Sequence, residues 1–160
     1  MKFFIGVDPG VSGAIAVTSS TLGLIQVIDM PTVEVKVGKS LKRRISPELL
    51  MVALREVVTP DCVAMVEQVR AMPGQGVSSM FAFGEAYGLI RGVLAGLGVR
   101  THTVTPVSWK KEMALNKGKD ASRAMAAQLW PDQAGLFARV KDDGRAEAAL
   151  IAEFARRKFI

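Results

Sequence analysis

The chain of 160 residues has one cysteine, one histidine and one tyrosine. A single cysteine excludes an intramolecular disulfide and any zinc cage built on several thiolates. A single histidine excludes two-histidine zinc sites and the glutamate–histidine repeats of di-iron bundles. Cys62 and His102 are the sole thiol–imidazole pair available for nucleophilic catalysis. Cys62, however, lies in the apolar run CVAMV, where a buried structural thiol is expected, and His102 in THTV reads as a satisfied polar side chain. No stretch approaches the ~18 apolar residues of a membrane span. The start MKFFIGVDPG reaches its Pro-Gly turn too soon for a signal peptide, so an intracellular, cytoplasmic protein is expected. There is no internal repeat and no low-complexity segment.

What is present describes a globular chain, with 49% hydrophobic and 22% charged residues. A chain of this length buries roughly two-thirds of its unfolded surface in one core, so residues 1–160 are expected to form one domain. Its 21 basic against 15 acidic residues leave a net charge of +6. Lys36, Lys39, Lys42, Arg43 and Arg44 crowd one segment; Lys110, Lys111, Lys117, Lys119 and Arg123 form a second group, and Arg156, Arg157 and Lys158 a third. One such cluster is commonly just a solvated face. Three together favour a polyanionic partner, above all nucleic acid.

Three β-like runs come first, Lys2 to Val7, Gly13 to Thr18 and Leu24 to Met30, punctuated by Pro9-Gly10 and Gly23. Connections this short force antiparallel neighbours. Residues Pro31 to Arg44 read as an exposed basic loop, and Ser46-Pro47-Glu48 opens a helix running to about Val58. The strand Cys62 to Val66 ends at Glu67, and the stretch from Gln68 to Val77 is a loop. A long helix follows from Ser78 to Leu97, its stripe Met80, Phe83, Tyr87, Ile90, Leu94, Leu97 stepping at helical spacing. A fifth strand, Arg100 to Val104, precedes a helix carrying Trp109, then the polar loop Asn116 to Asp120, another helix, and a last helix from Asp143 to Lys158. This order predicts an α/β fold: a mixed five-stranded sheet, three strands as an antiparallel meander and two added in parallel, with helices on both faces.

Four acids stand out by position. Asp8 ends the first strand and Glu67 the fourth, so if these strands are parallel neighbours both carboxylates sit together at the rim of the sheet. Asp143 and Glu147 lie four apart on one face of the last helix. Each has a bland reading as a turn residue, a strand end or a helix cap. Jointly, carboxylates that converge in a partly buried site repel unless they share protons or hold a cation. With no histidine or cysteine cluster the ligand set is all oxygen, which suits Mg²⁺ or Mn²⁺, and two such ions can drive phosphodiester hydrolysis.

The segments FIGVDPGVSGAIAV, AMVEQV, FGEAYG and DGRAEAALIA together resemble the RuvC family of Holliday-junction resolvases, within the RNase H-like nuclease superfamily, over nearly the whole chain. The resemblance implies an RNase H-like fold and a homodimer that binds four-way DNA junctions. It also implies paired, metal-dependent nicks, the activity of a crossover junction endodeoxyribonuclease, with two ions per site. Carried over, the four acids are Asp8, Glu67, Glu147 and a third ligand for which Asp143 and Asp142 compete, Asp143 being preferred for its spacing to Glu147. Lysines near the cleaved phosphate in the family correspond to Lys110 and Lys119. The DNA-contacting set is expected to include Arg70, Lys39, Lys42, Arg43, Arg44 and Lys117. Arg70 stands where well-studied members carry an aromatic that stacks on a base, and Glu147 where many carry aspartate. A helicase partner is not identified by any segment.

Gly84, Gly88, Gly92 and Gly96 recur every four residues on the long helix, each costing roughly 1 kcal/mol of helix stability relative to alanine. Such a face calls for close backbone approach, either to the protein's own sheet or to a partner's helix. Trp109 and Trp130 read as helix anchors. Two competing functions remain open on sequence: a non-catalytic junction- or fork-binding protein, against which the acids argue, and an actin-like ATPase or sugar kinase, suggested by DPGVSG but at half the usual length.

Overall fold

The computed structural model describes residues 1–160. The strands β1 (Phe3–Asp8), β2 (Ala14–Ser19) and β3 (Gly23–Asp29) lead into a separate ribbon of β4 (Thr32–Val37) and β5 (Ser40–Ile45). Then come α1 (Pro47–Val57), β6 (Val63–Glu67), α2 (Val77–Gly96), β7 (Arg100–Val104), α3 (Pro106–Glu112) and α4 (Ala121–Leu129). Two 3₁₀ turns, Pro131–Phe137 and Val140–Asp142, precede α5 (Asp143–Phe159). The main sheet has the order β3-β2-β1-β6-β7, antiparallel through the meander and parallel from β1 to β6 to β7. The mixed sheet expected from the sequence is therefore present.

Strand parity decides which side chains meet. Phe4, Ala14, Ala16, Val63 and Met65 face a core completed by α3, α4 and α5, while Ile5, Val7, Ile15, Val17, Ala64 and Val66 face α1 and α2. By the same alternation Asp8 and Glu67 point towards the α5 side. That side is lined with small residues: α5 buries Ala146, Ala148, Ala149, Ala152 and Ala155, so the helix lies close on β1 and β2. Thr18 Oγ1 even donates to the Ala152 carbonyl at 3.3 Å.

Residues Pro31 to Arg44, expected as a loop, instead form most of the β4–β5 hairpin. Val33, Val35 and Val37 alternate with polar residues, and the two strands pair from Thr32↔Ile45 to Val37↔Ser40. Gly38, at φ +62°, supplies the first residue of the two-residue turn, a position that favours glycine. The charge of the segment masked this period-two pattern. Most of the ribbon is exposed, and Ile45 is the residue that buries its root.

The helix α1 starts where Ser46 Oγ accepts from the Leu49 amide at 3.2 Å, with Pro47 at its first turn. In α2 the residues Ile90 and Leu94 are fully buried, but Phe83, expected on the same inward stripe, is 46% exposed and lines a cleft with Asp8 and Gly10. The four glycines of α2 do not pack on the protein's own sheet. A Cβ at any of them would meet no atom within 4 Å. Cys62 is buried and free. His102 stacks on Phe159 with ring centroids 4.6 Å apart, and its buried Nε2 lacks the partner that a satisfied polar side chain would have. No helix is long and apolar enough to cross a membrane.

Candidate active site

Parallel pairing of β1 with β6, in register at Val7↔Val66, sets Asp8 and Glu67 side by side at the carboxyl ends of adjacent strands. The first turns of α5 lie over this rim and bring Glu147 to them. Asp8, Glu67 and Glu147 each offer an oxygen, all within 4.8 Å of one another. The approach depends on Gly144, where a Cβ would strike the Ser12 carbonyl and Gly13 Cα in the turn after Asp8.

Three partly buried carboxylates at this spacing are under electrostatic stress. Burial, reinforced by repulsion from Glu147 and Glu67, pushes the Asp8 pKa up to about 8. Burial also raises Glu67; a hydrogen bond from Trp109 works against the rise and repulsion from Glu147 adds to it. Lys110 Nζ lies 2.7 Å from Glu147 Oε1. Burial alone would lower its pKa, but the bond to Glu147 and the attraction of the other two acids outweigh that and raise it. The donor set is oxygen throughout, it converges, and two of its members resist ionising alone. These are the properties of a hard divalent-cation site.

Asp143 is not within the three-acid group. It lines the same cleft as Asp8 and Glu147, and its Oδ1 accepts from Arg123 Nε at 2.8 Å. Asp142 is turned away from the three acids and is 1% exposed. Its carboxylate accepts from the Arg139 amide at 2.9 Å and from the Arg139 guanidinium at 2.8 Å, with Arg145 at 3.7 Å. The hydrogen bond from Arg139 holds its carboxyl below the usual range. The two neighbours thus have separable roles, and their asparagine variants are expected to differ in kind. Asp143→Asn lowers Mg²⁺-dependent cleavage by roughly tenfold or more while the melting temperature stays put. Asp142→Asn loses charge-assisted bonds and costs about 2 kcal/mol of stability, with metal-dependent chemistry kept in the folded fraction. Single-turnover nicking and thermal melts on both variants check this, and the reverse pattern would assign the third acid to Asp142.

The expected lysines and arginines are dispersed. Lys110 is in the site, and Lys119 lines its cleft, whereas Lys117 lies exposed nearby in the loop before α4. Arg70 is exposed beyond Glu67 and donates to Gln68 Oε1 at 3.1 Å. Arg43 and Arg44 are engaged within the protein: Arg43 Nη2 donates to the Val11 carbonyl, and Arg44 Nε lies 3.7 Å from Glu85 of α2. They tie the hairpin to the site and to α2, and they leave Lys36, Lys39 and Lys42 as its outward cations. Two cleft residues escaped the sequence reading. Phe83 was hidden in a helical stripe, and Ser122, which donates to Glu147 Oε1 at 3.3 Å, carries no local signal.

No protein-family model matches the chain. A stretch of 92 residues, 56% of the chain, is 36% identical to the chloroplastic Holliday junction resolvase MOC1 of Chlamydomonas reinhardtii, and the match spans only 10% of that relative's length. Among solved structures, T. thermophilus RuvC in complex with a Holliday junction substrate superposes with a TM-score of 0.63 at 14% identity, covering 99% of this chain and 97% of that one. The yeast mitochondrial Holliday junction resolvase Ydc2 superposes with a TM-score of 0.58 at 18% identity, covering 96% and 77%. The fold is therefore RNase H-like. Its fold resembles those of RuvC and Ydc2, and over 92 residues its sequence is similar to a Holliday junction resolvase.

Proposed function

We propose that residues 1–160 form a metal-dependent DNA endonuclease, a crossover junction endodeoxyribonuclease that nicks four-way junctions and other branched DNA in the cytoplasm. The observation that carries the reading is the convergence of Asp8, Glu67 and Glu147 at the rim of a RuvC-like sheet. Bound there, two Mg²⁺ or Mn²⁺ ions would lower the pKa of the attacking water and take up charge on the leaving 3′-oxygen. The chain's own groups do the rest. Asp8, Glu67 and Glu147 would hold the cations, and Asp143 lines the same cleft as Asp8 and Glu147. Lys110 offsets part of the acids' charge, and Lys119 faces the cleft where a phosphate would enter. Acids alone would repel DNA; bound cations, with Lys110 and Lys119, would offset that charge.

The test is a synthetic Holliday junction, a replication fork and a linear duplex of the same sequences, cut side by side with Mg²⁺, Mn²⁺ or EDTA. The junction is expected to be nicked symmetrically with either cation, the fork more slowly and the duplex not at all. Binding without nicking would favour a non-catalytic junction protein, and ATP hydrolysis without DNA a phosphotransferase.

The β4–β5 ribbon serves as a phosphate-gripping arm in this reading, since a two-stranded ribbon fits the major groove and Lys36, Lys39 and Lys42 stand free on it. Replacing these three by alanine is expected to reduce the log–log salt slope of junction binding by about 2.7, at roughly 0.9 per lost phosphate contact. An unchanged slope would make the ribbon a solvated face. Lys117 and Arg70, both exposed, are further candidates for phosphate contact. Paired nicks need two active sites, which a homodimer supplies. The exposed α2 face with its four open glycines, Val77 at 87% and Phe81 at 74% exposure, is the surface that supports one.

A further inference from the structure

α3 is only seven residues long, yet two consecutive side chains on it hold two of the three clustered acids. Lys110 reaches Glu147, and Trp109 Nε1 donates to Glu67 Oε2 at 2.6 Å. The placement follows from topology. β7 pairs with β6 so that Val104 lies opposite Glu67, Thr105 caps α3 by accepting from the Ser108 amide at 3.2 Å, and the first turn delivers the indole beside the carboxylate. Trp109 is fully buried among Met65, Val104 and Met113 of the α5-side core. Its N–H is a donor only and cannot turn to solvent, so it requires an acceptor, and Glu67 is the one it has. The Glu67 carboxylate is thereby fixed through one oxygen, which leaves Oε1 without a hydrogen bond from the chain. The Lys110 ammonium lies 5.2 Å from the Trp109 ring centroid, so the same indole also braces the lysine on Glu147.

We infer that Trp109 is a positioning residue for the divalent-cation site: its indole N–H orients Glu67 so that the free oxygen meets the cation already aligned. The inference rests on the metal-site reading above. Donors behind a metal ligand commonly alter affinity by 10- to 100-fold when removed. An arrangement held by a rigid core tryptophan has no rotamer freedom to lose on binding, which is the physical source of that gain.

The protein has two tryptophans, so the ¹⁵N-labelled full chain shows two indole N–H resonances, and Trp130→Phe assigns them. In EDTA, Glu67→Gln is expected to move the Trp109 resonance upfield by weakening its acceptor and to leave that of Trp130 in place. In a calorimetric titration, folded Trp109→Phe is expected to bind Mg²⁺ at least tenfold more weakly than the wild type. A Trp109 resonance indifferent to Glu67→Gln overturns the inference, as does a folded Trp109→Phe that binds Mg²⁺ as tightly as wild type; the latter leaves the metal reading intact. If Trp109→Phe does not fold, the resonance decides. A wild type that takes up no Mg²⁺ overturns the metal reading and the inference with it.

Discussion

Asp8→Asn is expected to reduce junction nicking by about three orders of magnitude or more while making the metal-free protein more heat-stable at pH 8. The loss of activity follows from removing one of three converging ligands, an effect on the scale of deleting a fixed electrostatic anchor for the transition state. The gain in stability follows from linkage. The Asp8 pKa is near 8 in the folded chain because of burial and then the neighbouring Glu147 and Glu67, against 3.8 for an unperturbed aspartate. The folded state therefore holds this proton more tightly than the unfolded state does. The stability it confers is complete below about pH 4 and is lost as pH rises towards 8. Asparagine stays neutral and escapes that loss. Glu67, shifted in the same direction, leaves a smaller slope in the variant. Asp142, held low by Arg139, acts with the opposite sign but only in acid, so it adds no slope between about pH 5 and 8.

Melting curves in EDTA across that window, with single-turnover nicking alongside, test both halves. Junction binding in EDTA is expected to survive or tighten, since a negative charge near the phosphates is gone. Wild-type nicking by the variant would remove Asp8 from the site. A variant no more stable than wild type at pH 8 would mean that the cluster does not carry a buried charge.

Gly6→Ala is expected to destabilise the protein by about 3 kcal/mol or more and to lower the melting temperature by roughly 10 °C. Gly6 lies at the middle of β1 on the α5 side, where a Cβ would land on the Ala148 carbonyl and the Ala152 amide. Both obstacles are backbone and cannot swing aside, so the whole helix must lift from the sheet. Because α5 also carries Glu147, the surviving folded protein is expected to bind Mg²⁺ more weakly as well. Gly88→Ala is the contrast: its Cβ meets nothing within the chain, and alanine is the better helix former, so monomer stability should rise slightly. Chemical denaturation of both variants reads the difference. A neutral Gly6→Ala would mean that α5 packs less tightly on β1 than the structure has it.

Much of the fold was legible because its signals are local. Apolar β-like runs, the Pro-Gly and glycine turns, Ser46-Pro47 before α1 and the helical stripe of α2 each act over a few residues, so element types followed directly. The β4–β5 ribbon was missed because its period-two pattern of Val33, Val35 and Val37 is carried by residues that remain largely exposed. Charge dominates its composition while pairing defines its structure. Phe83 was misplaced for a related reason: periodicity says which side of a helix is apolar, not which of its turns are buried.

The site divides along the same line. By itself the sequence determined that Asp8 and Glu67 terminate hydrophobic strands, that Asp143 and Glu147 share a helical face, and that any metal chemistry must use oxygen ligands. Those conclusions need only alternation, helical spacing and an inventory of residue types. Tertiary structure alone decided that Glu147, and not Asp143, closes the three-acid group, that Asp142 is tied to Arg139 and Arg145, and that Arg43 and Arg44 tie the hairpin to the turn after β1 and to α2. It alone put the Trp109 indole against Glu67, 42 residues away in the chain. Such choices depend on angstrom-scale distances between elements remote in sequence. Those distances are set by how closely an alanine-faced helix settles onto a glycine in a strand, which no local pattern encodes.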